Sequence, residues 1–213
     1  MNNYIQTLSE EKANTISHGA MAALILLALP FAAIWAYTHY GLVAAFTVSI
    51  YVISIFLMFM SSTVYHVMSP NTTHKLVTNV LDHSMIYIAI AGTYTPIAIN
   101  TIGGWQGIVI VSIQWTMAIL GVVYKSVAIN KFPKLSLIIY LVMGWVMVIF
   151  IVPFVRNAPW QLMMFILIGG ALYSIGSVFY AKKGWFRYHH LVWHIFINLA
   201  MATHFVGVVF FLK

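Results

Sequence analysis

The sequence predicts an all-α fold: a bundle of seven transmembrane helices that forms a single domain over residues 1–213. Three observations lead there. Of 213 residues, 62% are hydrophobic and only 6% charged, a balance that a soluble domain of this size does not show. The apolar residues gather into seven segments, each near the ~20 residues that a helix needs to cross a bilayer. The basic residues fall unevenly on the two sides of those segments.

The first apolar segment runs from about Ile16 to Ala36 and contains Pro30. A turn through Tyr37 and Gly41 leads to the second, Leu42 to His66. The third covers about Leu81 to Ile99, where Gly92 and Pro96 are expected to bend it. Gly103 and Gly104 form the next turn, and the fourth segment is Trp105 to Tyr124. The fifth is Leu135 to Val152, and Pro153 and Pro159 bracket the turn that follows it. The sixth is Trp160 to Ala181, and the seventh opens near Tyr188 and runs to Leu212. The connections are short, so neighbours in sequence are expected to lie antiparallel in space.

Seven spans put the termini on opposite sides. The N-terminal side then carries Lys12, Lys75, Lys125, Lys131, Lys134, Lys182, Lys183 and Arg187, against Arg156 and Lys213 on the other. Basic residues favour cytoplasmic loops, so the N-terminus is predicted to be cytoplasmic and the C-terminus extracytoplasmic, in a bacterial cytoplasmic (inner) membrane. Net charge is +7, from ten basic and three acidic residues. That is too sparse for a nucleic-acid surface. There is no cysteine, which excludes disulfides and thiolate metal ligands. The polar N-terminus, Met1 to Lys12, lacks the apolar core of a signal peptide.

Ionisable side chains inside a span are costly and need a reason. His190 and His194 stand four residues apart, on one helical face and near enough to share a metal ion. On the predicted topology His66 ends the second segment, Asp82 begins the third and His18 begins the first, all in the same layer of the bilayer. Ser62 lies one turn deeper than His66 on its face. Glu10 and Glu11 are expected to precede the membrane, leaving Asp82 as the one acid at a span. Three histidines beside one carboxylate are the composition of a metal site with an open position. Three imidazoles suit zinc and leave a fourth position for a water, whose pKa the metal lowers towards ~7. Asp82 is placed to take that water's proton or to hold the water by a hydrogen bond, and Ser62 to orient the water or steady an oxyanion. His204, deeper on the seventh segment, is expected to act as an outer hydrogen-bond donor. His39 and His74 read as loop residues, and His83 as facing a neighbouring helix or the interface.

Ser62-x3-His66, Leu81-Asp82-His83-Ser84, Ala91-Gly92-Thr93-Tyr94-Thr95-Pro96, Met143-Gly144-Trp145 and His190-x3-His194 together resemble the bacterial hemolysin III branch of the progestin and adipoQ receptor family. The resemblance covers nearly the whole chain. It implies seven transmembrane helices with zinc near the cytoplasmic face, held by His66, His190 and His194, and with Ser62 and Asp82 beside a metal-bound water. The family's N-terminal Glu-x2-Asn-x2-Thr-His is matched by Glu11, Asn14, Ser17 and His18, with Ser in place of Thr. The wider superfamily contains alkaline ceramidases, which implies hydrolysis of a lipid amide or ester and a membrane lipid or fatty-acyl ligand. Its animal members imply a receptor or sensor with structural zinc, and the family name implies haemolysis. A secreted pore-former fits least, because the chain is apolar throughout and shows no cleavable export signal.

Overall fold

A computed structural model describes residues 6–128, 133–182 and 184–212. Lys131, Lys183 and Lys213, three of the basic residues behind the predicted topology, lie outside them. Within the described residues the chain is helical throughout, without strands. The helices are α1 (Leu8–Tyr40), α2 (Leu42–Val67), α3 (Thr73–Pro96), α4 (Gly104–Val127), α5 (Pro133–Trp145), α6 (Ile151–Asn157), α7 (Trp160–Ala181) and α8 (His189–Phe210). Among the described residues, six spans are long and apolar enough to cross a membrane, and a seventh results if α5 and α6 count as one broken span. The chain is a multi-pass membrane protein.

α1 begins well before the apolar run at Ile16, because its start is set by a capping box. The Thr7 hydroxyl accepts from Glu10 N–H, and Glu10 Oε2 accepts from Thr7 N–H at 2.8 Å. Two otherwise unpaired donors are satisfied reciprocally, so the helix starts at Leu8 and carries both glutamates within it. At its other end α1 runs to Tyr40. The expected turn therefore shrinks to Gly41, whose φ of 88° suits a residue without a Cβ. His39 thus sits in the last turn of α1, exposed and stacked on Trp35, and His74 in the exposed first turn of α3.

The third span does not break at Pro96. It continues as a π-helical segment, Ile97–Ile102, and ends at Gly103, whose N–H reaches the carbonyl of Ala98 at 2.9 Å. Asn100 Nδ2 donates to the Pro96 carbonyl and to Thr47 Oγ1, both at 2.8 Å, which ties the widened turn to α2. The fifth span is the irregular one. A 3₁₀ turn, Val146–Val148, follows α5, and the direction changes by 55° before α6. Tyr94 Oη donates to the Gly144 carbonyl at 2.7 Å and accepts from Met147 N–H at 3.1 Å. Gln114 Nε2 donates to the Met143 carbonyl at 2.8 Å. Interrupted backbone persists at membrane depth only where such partners are supplied. Pro153 stands inside α6, in the first turn, where its missing N–H costs no helical bond, so only Pro159 marks the turn to α7.

α1 packs along α2 and α8, α2 along α3, and α7 along α8. The α2–α3 crossing is close because Gly92 faces Ser54: a Cβ there would lie 2.5 Å from Ser54 Oγ. This arrangement brings the first turns of α1, α3 and α8 to the end of α2, in one layer.

Candidate metal centre and its cavity

Ring nitrogens of His66, His190 and His194 lie within 4.8 Å of one another, the one cluster among the described residues that could hold a metal ion. In each ring Nε2 is buried and has no hydrogen-bond partner. Three orphaned nitrogens facing one point fit a metal far better than they fit one another, because an unpaired buried polar atom is costly.

The outer nitrogens are held. His66 Nδ1 donates to Glu11 Oε2 at 2.5 Å, and Glu11 Oε1 accepts from Lys75 Nζ at 2.8 Å. Lys75 Nζ also donates to the Tyr65 carbonyl at 2.9 Å and lies over the Tyr65 ring. His194 Nδ1 lies 3.0 Å from Ser17 Oγ. Ser17 commits its single proton to the Asn14 carbonyl at 2.9 Å, so it must accept from His194. Both imidazoles are therefore fixed with the proton on Nδ1 and the Nε2 lone pair turned to the cluster, the arrangement a metal requires.

Of the adjacent pair His189-His190, only His190 belongs to the three-histidine group. His189 Nδ1 donates to the Phe186 carbonyl at 3.1 Å, and its Nε2 accepts from Gly184 N–H at 3.3 Å. His189 closes the loop before α8, while His190 faces the cluster. Tyr188, just before, adopts a left-handed φ of 65°, and its N–H donates to Glu10 Oε1 at 2.9 Å. The start of α8 is thus tied to the start of α1.

Glu10 and Glu11, expected to precede the membrane, both lie in the N-terminal turns of α1, and Glu11 contacts a histidine of the cluster. Its place was visible in the spacing, since Glu11, Asn14 and His18 share a helical face. The expectation for His204 is corrected. It makes no contact with the cluster; its Nε2 donates to the Ile166 carbonyl at 3.2 Å and its ring meets the edge of Tyr173. Ten residues beyond His194, it lies roughly 15 Å further along the helix. A Cβ on Gly169 would fall 2.1 Å from the His204 ring, so that glycine makes room for it. His83 faces α7 as expected. Its Nδ1 donates to the Asn79 carbonyl at 2.8 Å, so its Nε2 accepts from Tyr180 Oη at 2.9 Å.

Asp82 and Ser62 are buried and stand side by side, without a well-aligned hydrogen bond between them. Both lie outside the three-histidine cluster and line a cavity of about 420 Å³. His18 shares this end of the cavity. From there the cavity runs between α3, α5, α7 and α8, past Ile90, Leu141 and Ile166, to Ile151 and Phe154 beyond the break in the fifth span. Its walls are almost entirely apolar. The arrangement can hold a long hydrocarbon with its polar end beside Asp82, Ser62 and His18.

The family described as "Haemolysin-III related" matches residues 6–205. Hemolysin-3 of Bacillus cereus is 36% identical over 211 residues, which cover 99% of this chain and 95% of that protein. A Hemolysin-3 homolog of Bacillus subtilis (strain 168) is 37% identical over 208 residues, 96% of this chain and 95% of that protein. The monocyte to macrophage differentiation factor of Homo sapiens is 27% identical over 210 residues, 96% of this chain and 85% of that protein.

Proposed function

The chain belongs to the haemolysin-III-related family, and from the site it carries we propose that it is a zinc-dependent hydrolase of lipid amides or esters that adjusts membrane lipid state. One observation carries this reading: an apolar cavity is lined by a buried carboxylate, Asp82, a hydroxyl, Ser62, and His18, whose ring stacks on His194 of the three-histidine cluster. Neither half would suffice. A metal-sized cluster without the cavity reads as structural, and a cavity without the cluster reads as a lipid-filled gap.

His66, His190 and His194 would hold the ion, because they supply three neutral nitrogen donors and no thiolate exists to compete. Zinc, when bound, supplies a water acidic enough to attack at neutral pH and polarises the scissile carbonyl. Glu11 and Ser17 keep His66 and His194 turned to the ion. Asp82 takes a proton from the attacking water as its oxygen adds to the acyl carbon. It returns that proton to the departing nitrogen or oxygen as the C–N or C–O bond breaks, leaving a fatty acid and an amine or alcohol. Ser62, beside Asp82, orients the water or donates to the oxyanion. The cavity walls hold the acyl chain and exclude bulk water. With the N-terminus cytoplasmic, the reaction takes place near the cytoplasmic face, as the positions of the basic residues favour. Release of free fatty acid from long-chain amides and esters co-reconstituted with the zinc-loaded chain tests the reading.

A second reading, a lipid sensor with structural zinc, draws on the broken fifth span. That span lines the cavity on both sides of its 55° bend. Its loosened backbone is held by the side chains of Tyr94 and Gln114, so an occupant of the cavity would press directly on it. The two readings part on turnover: a sensor binds lipid and releases it unchanged.

A further inference from the structure

His18 has no part in the chemistry described so far, yet it occupies the polar end of the cavity. It is 2% exposed, and neither Nδ1 nor Nε2 has a hydrogen-bond partner. Its ring lies parallel to that of His194, with centroids 3.5 Å apart and planes 8° from coplanar. Its other faces meet the edge of Phe59 at 5.0 Å and the ring of Trp193 at 6.5 Å. It stands outside the three-histidine cluster and lines the cavity with Ser62 and Asp82.

A ring stacked on His194 and wedged against Phe59 and Trp193 needs only to be flat and apolar. Phenylalanine would fill that role without burying two polar nitrogens in an apolar bundle. What histidine adds is an N–H donor, held rigidly by the stack and left without a protein acceptor. A buried donor without a partner at the wall of a cavity is satisfied by what enters the cavity. At this end that is the polar group of the lipid, and in an amide or ester the strongest acceptor is the carbonyl oxygen.

We propose that His18 donates an N–H hydrogen bond to the carbonyl oxygen of a lipid amide or ester in the cavity, anchoring its acyl group beside the three histidines from outside the metal's coordination shell. This rests on the lipid-hydrolase reading above and deepens it. The stack on His194 gives the anchor its precision, since any tilt of one ring is passed to the other. The anchor selects carbonyl-bearing lipids over plain hydrocarbon of the same length, which the apolar walls alone cannot do.

The test is displacement of a fluorescent polyene fatty acid from the zinc-loaded full chain in lipid nanodiscs, with N-methylpalmitamide and with heptadecane as competitors. His18→Phe keeps the stack and the volume and removes the donor. It is expected to lose about tenfold or more in affinity for the amide, with heptadecane displacement, zinc content and melting temperature unchanged. His18→Gln, which retains an N–H donor, is expected to restore most of the amide preference. Should His18→Phe fail to fold, His18→Met carries the same test. Unchanged amide affinity in the donor-less variant overturns the anchor while leaving lipid binding intact. Loss of zinc in that variant makes His18 a metal ligand and also overturns it. A wild-type chain that binds neither probe nor competitor removes the lipid reading and the anchor together.

Discussion

His66, at the end of α2, donates its Nδ1 proton to Glu11, in the first turns of α1, across 55 residues of sequence. The contact fixes which nitrogen of His66 is free, and on the proposed zinc site it would make Glu11 a determinant of metal binding although it touches no metal position. Replacing such a partner of a ligating histidine typically costs 10–100-fold in metal affinity. Glu11→Ala is expected to weaken zinc binding by about that factor in chelator competition. Glu11→Gln should lose less, because the amide oxygen still accepts from His66. Wild-type affinity in Glu11→Ala would show that His66 is oriented by something else.

Metal content tests the cluster itself. The purified chain is expected to hold about one zinc, since three histidines form one ligand set. Ala at His66, His190 or His194 should lose most of it. Ala at His39 or His74, both exposed, should not. An ion bound only to the native bundle raises stability by mass action, about 2.7 kcal/mol at a hundredfold excess over Kd. Chelation should therefore lower the melting temperature of the wild type and leave that of His194→Ala unmoved. Full zinc retention in His194→Ala, read by elemental analysis, would remove the site.

The layer of polar groups was legible in the sequence because each member is expensive in an apolar span. His66, Asp82, His190 and His194 stand out against a composition with few charges, and a four-residue spacing puts two of them on one face. Glu11 was less legible. Spans were counted from the apolar run at Ile16, whereas the helix starts at Leu8, where hydrogen bonding between Thr7 and Glu10 sets its end. Caps are local and polar, and hydropathy does not register them. The break in the fifth span was hidden for a related reason. Its residues are uniformly apolar, and the side chains that make the break tolerable, Tyr94 and Gln114, come from other helices. Spacing put His204 on the right helix, but only the neighbouring helix, through Gly169 and Ile166, shows where its ring rests.

Close packing of α2 on α3 gives a stability prediction. A Cβ at Gly92 would lie 2.5 Å from Ser54 Oγ and 2.6 Å from Ser54 Cβ. Rotating the serine side chain cannot relieve the second contact, so the helices must part. Gly92→Ala is expected to destabilise the bundle by about 1–3 kcal/mol, the usual cost of overpacking. Ser54→Gly in the same chain should recover much of it. Thermal melts in detergent read both, and an unshifted Gly92→Ala melt would mean the crossing is looser than described.

Topology is tested by reporters. The basic residues favour a cytoplasmic N-terminus, and seven crossings then carry the C-terminus outside. A periplasmic-type reporter fused after Lys213 should be active, and a cytoplasmic one silent. The reverse result would mean that the α5–α6 pair does not cross as one span, since the count would then be even.

The most direct measurement is turnover of a broad panel of lipid amides and esters by the purified zinc-loaded chain in bilayers, with Asp82→Asn, Ser62→Ala and His194→Ala alongside. Asn keeps the size of Asp82 and most of its hydrogen bonding but cannot shuttle a proton. Fatty-acid release is predicted for the wild type and is expected to fall roughly 10²-fold or more in Asp82→Asn, whose zinc content stays unchanged. Ser62→Ala should lie between these two, and His194→Ala should show none. A wild-type chain that holds zinc and binds lipid yet releases no fatty acid from any member of the panel would contradict the account.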